Sequence, residues 1–363
     1  MMIALVALVP LTGAFLAAVP YLMPKRECFA VTVPDEAQTD PVLRGFKRRY
    51  AVIMGALTLV MTVVVGALCA AGAFEAVAVA MGVTVVGFCI VSYGLMLHFR
   101  SKVSALKRQR GWRATGSKSA AAIGGEAIPR PLSQRWDLLF LPMIVVSLAV
   151  CLLGYGNIPD EIPRQMGLNG EVTSYFQKSY LVACFPAIVV AFIDGVLAFS
   201  HWQILRSKKF SDPSMPAASA WAYGMFVRAQ TMLLVVAGVV LGFVGLAMAL
   251  NFVGVISLQV AALWCLISVM AVALGSLAVS AVYGQNGSRL IARVEGSGGM
   301  PRDNDRFWKL GIFYVNREDP SLFVPERFGI GWTMNWGRPA AWAVLAGLML
   351  VIVAFLLFVF LCL

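Results

Sequence analysis

Asp194 and His201 are the two residues whose types and spacing could carry chemistry. They lie in or beside one apolar stretch, seven positions apart, which on a helix is two turns along the same face. A carboxylate within a bilayer costs on the order of 2.5 to 3.5 kcal/mol on insertion scales, so an intramembrane aspartate is by default a functional candidate. The pair could relay a proton or hold an ion. The plainer reading is a carboxylate that snorkels or takes a hydrogen bond from a neighbouring helix. His98 and His201 are the only histidines, both at inner ends of expected spans, and no third ligand accompanies them, so no metal site is expected. Seven cysteines, at positions 28, 69, 89, 151, 184, 265 and 362, stand singly and read as small core residues. No G-x-S-x-G elbow, Walker loop or post-strand G-x-G-x-x-G occurs, so neither a catalytic residue nor a cofactor is assigned.

The elements that must position these residues follow from composition. The chain has 363 residues, 60% hydrophobic and 13% charged, with a mean hydropathy of +0.81. These values describe an all-α polytopic membrane protein. Eight apolar stretches are long enough to span: Met2–Met23, Tyr50–Gly72, Val77–Leu97, Leu138–Tyr155, Ser179–Ser200, Ala229–Phe252, Val255–Tyr283 and Pro339–Leu361. The runs are continuous rather than alternating, which excludes a β-barrel. Basic residues follow the first stretch instead of preceding it, so it reads as an uncleaved span.

Threading the chain from an outside N-terminus puts 27 of the 29 Lys and Arg on the cytoplasmic side and leaves Arg164 and Lys178 outside. That asymmetry follows the positive-inside rule and places both termini outside. The net charge of +11 therefore points to anionic lipid headgroups at the inner face, and nucleic acid is not expected as a partner. Oligomeric state is not legible.

Between the spans, the expected organisation is a unit of three spans at 1–97 with a cytoplasmic loop at 24–49, a basic linker at 98–137, a core at 138–283, a cytoplasmic module at 284–338 and a last span at 339–363. Phe29, Val31 and Val33 alternate as a short strand; Asp40 and Pro41 supply an N-cap and first helical residue. Gly238, Gly242 and Gly245 allow close helix approach, within this chain or to a second subunit. The segment 302–339 carries eight aromatic residues, which suggests a small folded cap against the headgroup layer, with a turn at Glu318–Pro320 between Gly311–Val315 and Leu322–Pro325. Gly284-Gln285-Asn286-Gly287-Ser288-Arg289 reads as a helix cap and turn, or as a loop whose N–H groups cradle a phosphate.

The outer loop, 156–178, is the one sizeable segment outside. Pro159 and Pro163 hold its start extended, and Asn169 with Gly170 makes a turn. Here Pro159, Asp160, Ile162, Pro163, Gly170 and Glu171 resemble the SdpI-like family of bacterial membrane proteins, which includes an immunity protein against a secreted toxic peptide. Gln165, Gly167 and Thr173 stand where the family has His, Asn and an acid. A second resemblance, to larger uncharacterised relatives, rests on Gly284, Gln285, Gly287, Ser288 and Arg289 together with Trp308, Phe323, Pro325, Gly329, Gly331, Trp332 and Asn335. The resemblance implies an envelope protein of the bacterial cytoplasmic membrane, acting in immunity or stress by binding or sensing a membrane-active peptide at the outer loop. The alternatives are an ion-coupled or small-molecule transporter using Asp194, and a lipid-modifying enzyme at the inner interface near Arg289.

Overall fold

The computed structural model describes residues 2–24, 26–114, 128–166, 171–291 and 303–361. Residues 115–127 of the expected linker, and Gly167, Asn169 and Gly170 of the loop at 156–178, lie outside these. The protein is an all-α polytopic membrane protein: seven described helices are long and apolar enough to cross a membrane. They are α2 (Pro41–Ala70), α3 (Phe74–Gln109), α4 (Leu141–Leu153, extended N-terminally by a 3₁₀ segment from Gln134), α5 (Tyr180–Arg206), α6 (Pro216–Phe252), α7 (Leu258–Tyr283) and α9 (Pro339–Leu361). The remaining expected span is α1, Met2–Leu22. Its apolar stretch Val6–Leu22 is shorter than the other seven, and it lies along α2 so closely that a Cβ at Gly13 would sit 2.0 Å from Thr58 Oγ1. A four-residue α8, Ser288–Ile291, follows α7.

Local signals explain several helix ends. The Asp40 carboxylate accepts from the Val42 and Leu43 N–H groups at 2.8 and 3.4 Å, and Ser179 and Ser257 cap α5 and α7 in the same way. The small-residue ridge of α6 is used inside the chain. A Cβ at Gly238 would fall 2.2 Å from Phe140, at Gly242 2.7 Å from Met143 and at Gly245 2.1 Å from Val190. The ridge therefore seats the start of α4 on one side and α5 on the other.

One expectation needs correction. Phe29 does not lie in a strand: β1 (Glu27–Cys28) and β2 (Val31–Thr32) form a hairpin whose two-residue turn is Phe29-Ala30, with φ of 47° and 58°. Such a turn normally takes Asn-Gly. Phe29 holds it because its fully buried ring packs on Tyr50 and Phe99, with centroids 5.7 and 5.1 Å apart. The loop at 156–178, expected to start extended and then turn, is built as a paired structure. It forms an antiparallel hairpin of β3 (Glu161–Met166) and β4 (Val172–Gln177), with Ile162 opposite Phe176 and Pro163 opposite Tyr175. A proline is tolerated there because each strand of a two-stranded sheet is an edge strand.

The cap contains two further hairpins, β5 (Trp308–Lys309) with β6 (Phe313–Tyr314), and β7 (Phe323–Pro325) with β8 (Trp332–Met334). The apolar pieces either side of Glu318–Pro320 do not pair with each other; a bridge between Tyr314 and Asn335 joins the two hairpins instead.

Candidate functional site

Gln285 is the point where separate stretches of sequence meet. Gly284 ends α7 with a φ of 63° that only glycine adopts readily, which turns the chain and buries Gln285 completely. The Gln285 amide then donates to the carbonyl oxygens of Glu326 and Gly331, at 3.2 and 2.8 Å, and its oxygen accepts from the Gly331 N–H at 2.9 Å. One side chain thus clasps the loop between β7 and β8. Gly287 faces α6, where a Cβ would lie 2.3 Å from the Ala222 carbonyl oxygen. The Ser288 hydroxyl donates to the Leu22 carbonyl at 3.4 Å. Arg289 donates to the Ala281 carbonyl at the end of α7. From Gly284 to Ser288 the segment is buried, and its grip on the cap is made by the Gln285 side chain.

The cap docks on the helices through aromatic residues. Phe323 is buried with its ring edge-on to Trp202 of α5, centroids 5.7 Å apart, and Trp332 stacks on Phe226 of α6 at 5.6 Å. The Phe323 carbonyl accepts from the Lys208 N–H at 2.9 Å. Pro325 pairs with Trp332 across β7 and β8, and Gly329 and Gly331, at φ of 108° and 142°, carry the turn that Gln285 grips.

Beneath this lies a cleft walled by the 24–35 loop, the α5–α6 connection, Gln285-Asn286 and the cap, with adjoining lobes of about 100 and 200 Å³. At one end Arg26 bonds both Asp35 oxygens, at 2.9 and 2.6 Å, and Asp212 at 2.7 Å. At the other, Arg327 is 4% exposed and bonds Asp305, Asn304 (3.1 Å) and Glu27 (3.2 Å). Asp305 also accepts from Lys107 at 2.6 Å and from the Thr32 hydroxyl at 2.8 Å. Burial works against the Asp305 charge, but Arg327 and Lys107 outweigh it and hold the carboxyl below its usual range. Asp319 is pulled further, to about 2: burial again opposes, while Lys208, the Ser321 N–H and the Tyr314 hydroxyl prevail.

Each of these cations is matched by an acid. Asn286 Oδ1, an acceptor, and Trp308 Nε1, a donor, line the cleft without partners among the described residues. Glu326 also lines it, and burial pushes its carboxyl up to about 7 from 4.5. A carboxyl raised on folding stabilises while it is neutral. Its contribution is full below about 4.5 and is lost as pH rises through about 7. Glu326→Gln will flatten that stretch of a plot of unfolding midpoint against pH, while the acid limb set by Asp319 and Asp305 stays.

Asp194 and His201 do not meet. His201 is fully buried, with Nδ1 2.7 Å from Asp137 Oδ1 and Nε2 3.0 Å from the Leu132 carbonyl oxygen. A carbonyl only accepts, so Nε2 carries a hydrogen. Sequence spacing missed this pair because Asp137 is 64 positions away. Asp194 is 3% exposed, and neither carboxylate oxygen has a partner among the described residues.

At the opposite end of the bundle, Ile162 and Phe176 turn inward onto Cys151, Ile158, Val182 and Phe252. Their neighbours face out: Pro159, Asp160, Glu161 and Glu171 are exposed, Tyr175 is 50% exposed and Tyr180 67%. Lys178 fastens the base of the hairpin, its ammonium donating to the Ile158 carbonyl at 2.6 Å and its N–H to the Asp160 carbonyl at 2.9 Å.

Residues 136–190 match a domain of unknown function, DUF1648. Residues 317–342 match a second family of unknown function, DUF5808. The DUF1648 match runs through α4 and the β3–β4 hairpin into α5 and includes Asp137. The DUF5808 match takes in β7, β8, Asn335 and the entry to α9. No curated protein and no solved structure matches the chain.

Proposed function

We propose that the protein is an SdpI-like protein of the bacterial cytoplasmic membrane, with both termini and the β3–β4 hairpin outside and the cap inside, and that it protects the envelope by binding a membrane-active peptide on the hairpin. The observation carrying this reading is the outer face of the hairpin. Ile162 and Phe176 lock it to the helix ends, and Asp160, Glu161, Glu171, Tyr175 and Tyr180 are all exposed on the hairpin and its two ends. Acids draw a cationic peptide in, and tyrosines give it large contact area at little entropic cost. For the chain in nanodiscs, titrated with a synthetic Lys/Leu amphipathic peptide, Asp160→Asn combined with Glu161→Gln and Glu171→Gln will weaken binding about tenfold. Equal affinity would overturn the reading.

One observation favours a second reading, transport coupled to Asp194: its buried, unpartnered carboxyl is the kind of group that takes up and releases a proton or cation. In proteoliposomes loaded with a pH-sensitive dye, Asp194→Asn will abolish proton flux under this reading. Full flux removes it.

A further inference from the structure

Arg48, Arg49, His98 and Lys102 line one groove of about 630 Å³ between α2 and α3 at the basic end of the bundle. No carboxylate lines it, and among the described residues none of the four side chains has an ion pair or hydrogen bond. The contrast is with Arg26, Lys107, Lys208 and Arg327, each held by an acid. Three cations, Arg48, Arg49 and Lys102, converging on one groove with no acid in its lining make a site whose charge complement is an anion from outside the chain.

The groove also has a vertical order. On α2, Val52 and Ile53 lie one turn deeper than Arg48 and Arg49, on the same faces. On α3, Leu95 lies deeper than His98 and Lys102. The deep wall faces lipid, with Val52 61% exposed and Ile53 42%. Gly45 sits at the mouth, where a Cβ would meet nothing within 4 Å, so there is room for a headgroup. Lys102 is held over the Phe46 and Phe99 rings, its nitrogen 6.0 and 5.9 Å from their centroids.

We propose that this groove is a binding site for an anionic phospholipid, with the phosphate among Arg48, Arg49 and Lys102 and an acyl chain along Val52, Ile53 and Leu95. Free phosphate would satisfy the charges but leave the apolar wall unused. The site is at the end opposite the hairpin and does not rest on the peptide reading.

The test is competition in nanodiscs of phosphatidylcholine containing a minor fraction of phosphatidylglycerol, counting the phosphatidylglycerol retained by native mass spectrometry after detergent extraction. The wild-type chain will retain phosphatidylglycerol over phosphatidylcholine. Arg48→Gln with Arg49→Gln and Lys102→Gln will lower that preference about tenfold. A control removing three exposed charges elsewhere, Arg108→Gln, Arg113→Gln and Lys309→Gln, will keep it. Val52→Trp fills the deep wall without touching a charge, and Val52 is too exposed for the change to disturb packing; it too will lower retention. Loss of preference in the control as large as in the groove variant would overturn the proposal, as would retention unchanged by Val52→Trp, or displacement of the lipid by millimolar inorganic phosphate.

Discussion

Arg327→Ala will detach the cap from the helices and destabilise it by about 3 to 5 kcal/mol, the cost of leaving buried charges without their partner. The guanidinium joins three stretches of chain. It bonds Glu27 of β1 and Asp305 and Asn304 before β5, reaches the Ala30 carbonyl at 3.4 Å, and lies 5.1 Å over the Trp308 ring. Removing it leaves Asp305 with Lys107 as its one ion-pair partner beside the Thr32 hydrogen bonds and uncovers one face of Trp308. Arg327→Lys keeps the charge but cannot reach Glu27 and Asp305 with one fork, so it will recover only part of the loss. The measurements are thermal unfolding in detergent followed by tryptophan fluorescence, and limited proteolysis of residues 303–338. A second signature comes from pH. A carboxyl held below its usual range contributes stability above its unfolded pKa and loses it as pH falls through the folded value. Without Arg327 the Asp305 carboxyl rises toward its ordinary value, so the acid limb of the stability curve becomes shallower. Unchanged proteolysis and an unchanged midpoint would show that the aromatic contacts alone hold the cap.

How much of this was legible in the sequence depends on distance along the chain. The spans were legible because an uninterrupted apolar run is a local property. So was the start of α2, where Asp40 and the two N–H groups it caps lie within three positions. The spacing of Gly238, Gly242 and Gly245 showed close approach but could not say that Phe140, Met143 and Val190 fill it. The hairpin at 161–177 was hidden because Pro163 argues against a strand in general, though not against an edge. The turn at Phe29-Ala30 was hidden because a distant aromatic cluster, not its own residue types, holds its left-handed backbone. Pairings across long separations were out of reach: Arg327 to Glu27, Gln285 to Gly331 and His201 to Asp137. Gly284–Arg289 reads from sequence as a helix cap and turn or as a phosphate-cradling loop; Gly284 does cap α7, but nothing in that segment shows that Ala222 lies against Gly287 or that Gln285 reaches Gly331.

Asn335→Asp will cost at least about 3 kcal/mol at neutral pH, more than the small change in shape suggests, because it reverses donors at a buried junction. Asn335 is fully buried. Its amide nitrogen donates to the carbonyl oxygens of Asn316, Asp319 and Ser321, at 2.7, 3.1 and 3.2 Å, and its oxygen accepts from the N–H groups of Asn316 and Gly337, at 3.0 and 3.2 Å. A carboxylate keeps the two acceptances but turns a negative oxygen toward three carbonyls. Protonation restores one donor, so the variant will regain part of its stability as pH falls below neutral. Asn335→Ala removes both kinds of bond and leaves the same backbone groups unmet, but carries no proton to titrate, so its deficit will be independent of pH. That difference separates a hydrogen-bonding role from simple filling of space. The readout is the fluorescence of Trp336 and Trp342, whose rings meet at 5.2 Å where the cap passes into α9. Because Asn335 also binds the Gly337 N–H two residues before the helix begins, loosening it frees the direction in which α9 leaves the cap. The tryptophan signal will therefore change before the helices themselves melt; a single transition at the wild-type midpoint for both variants would show that the junction bears no load.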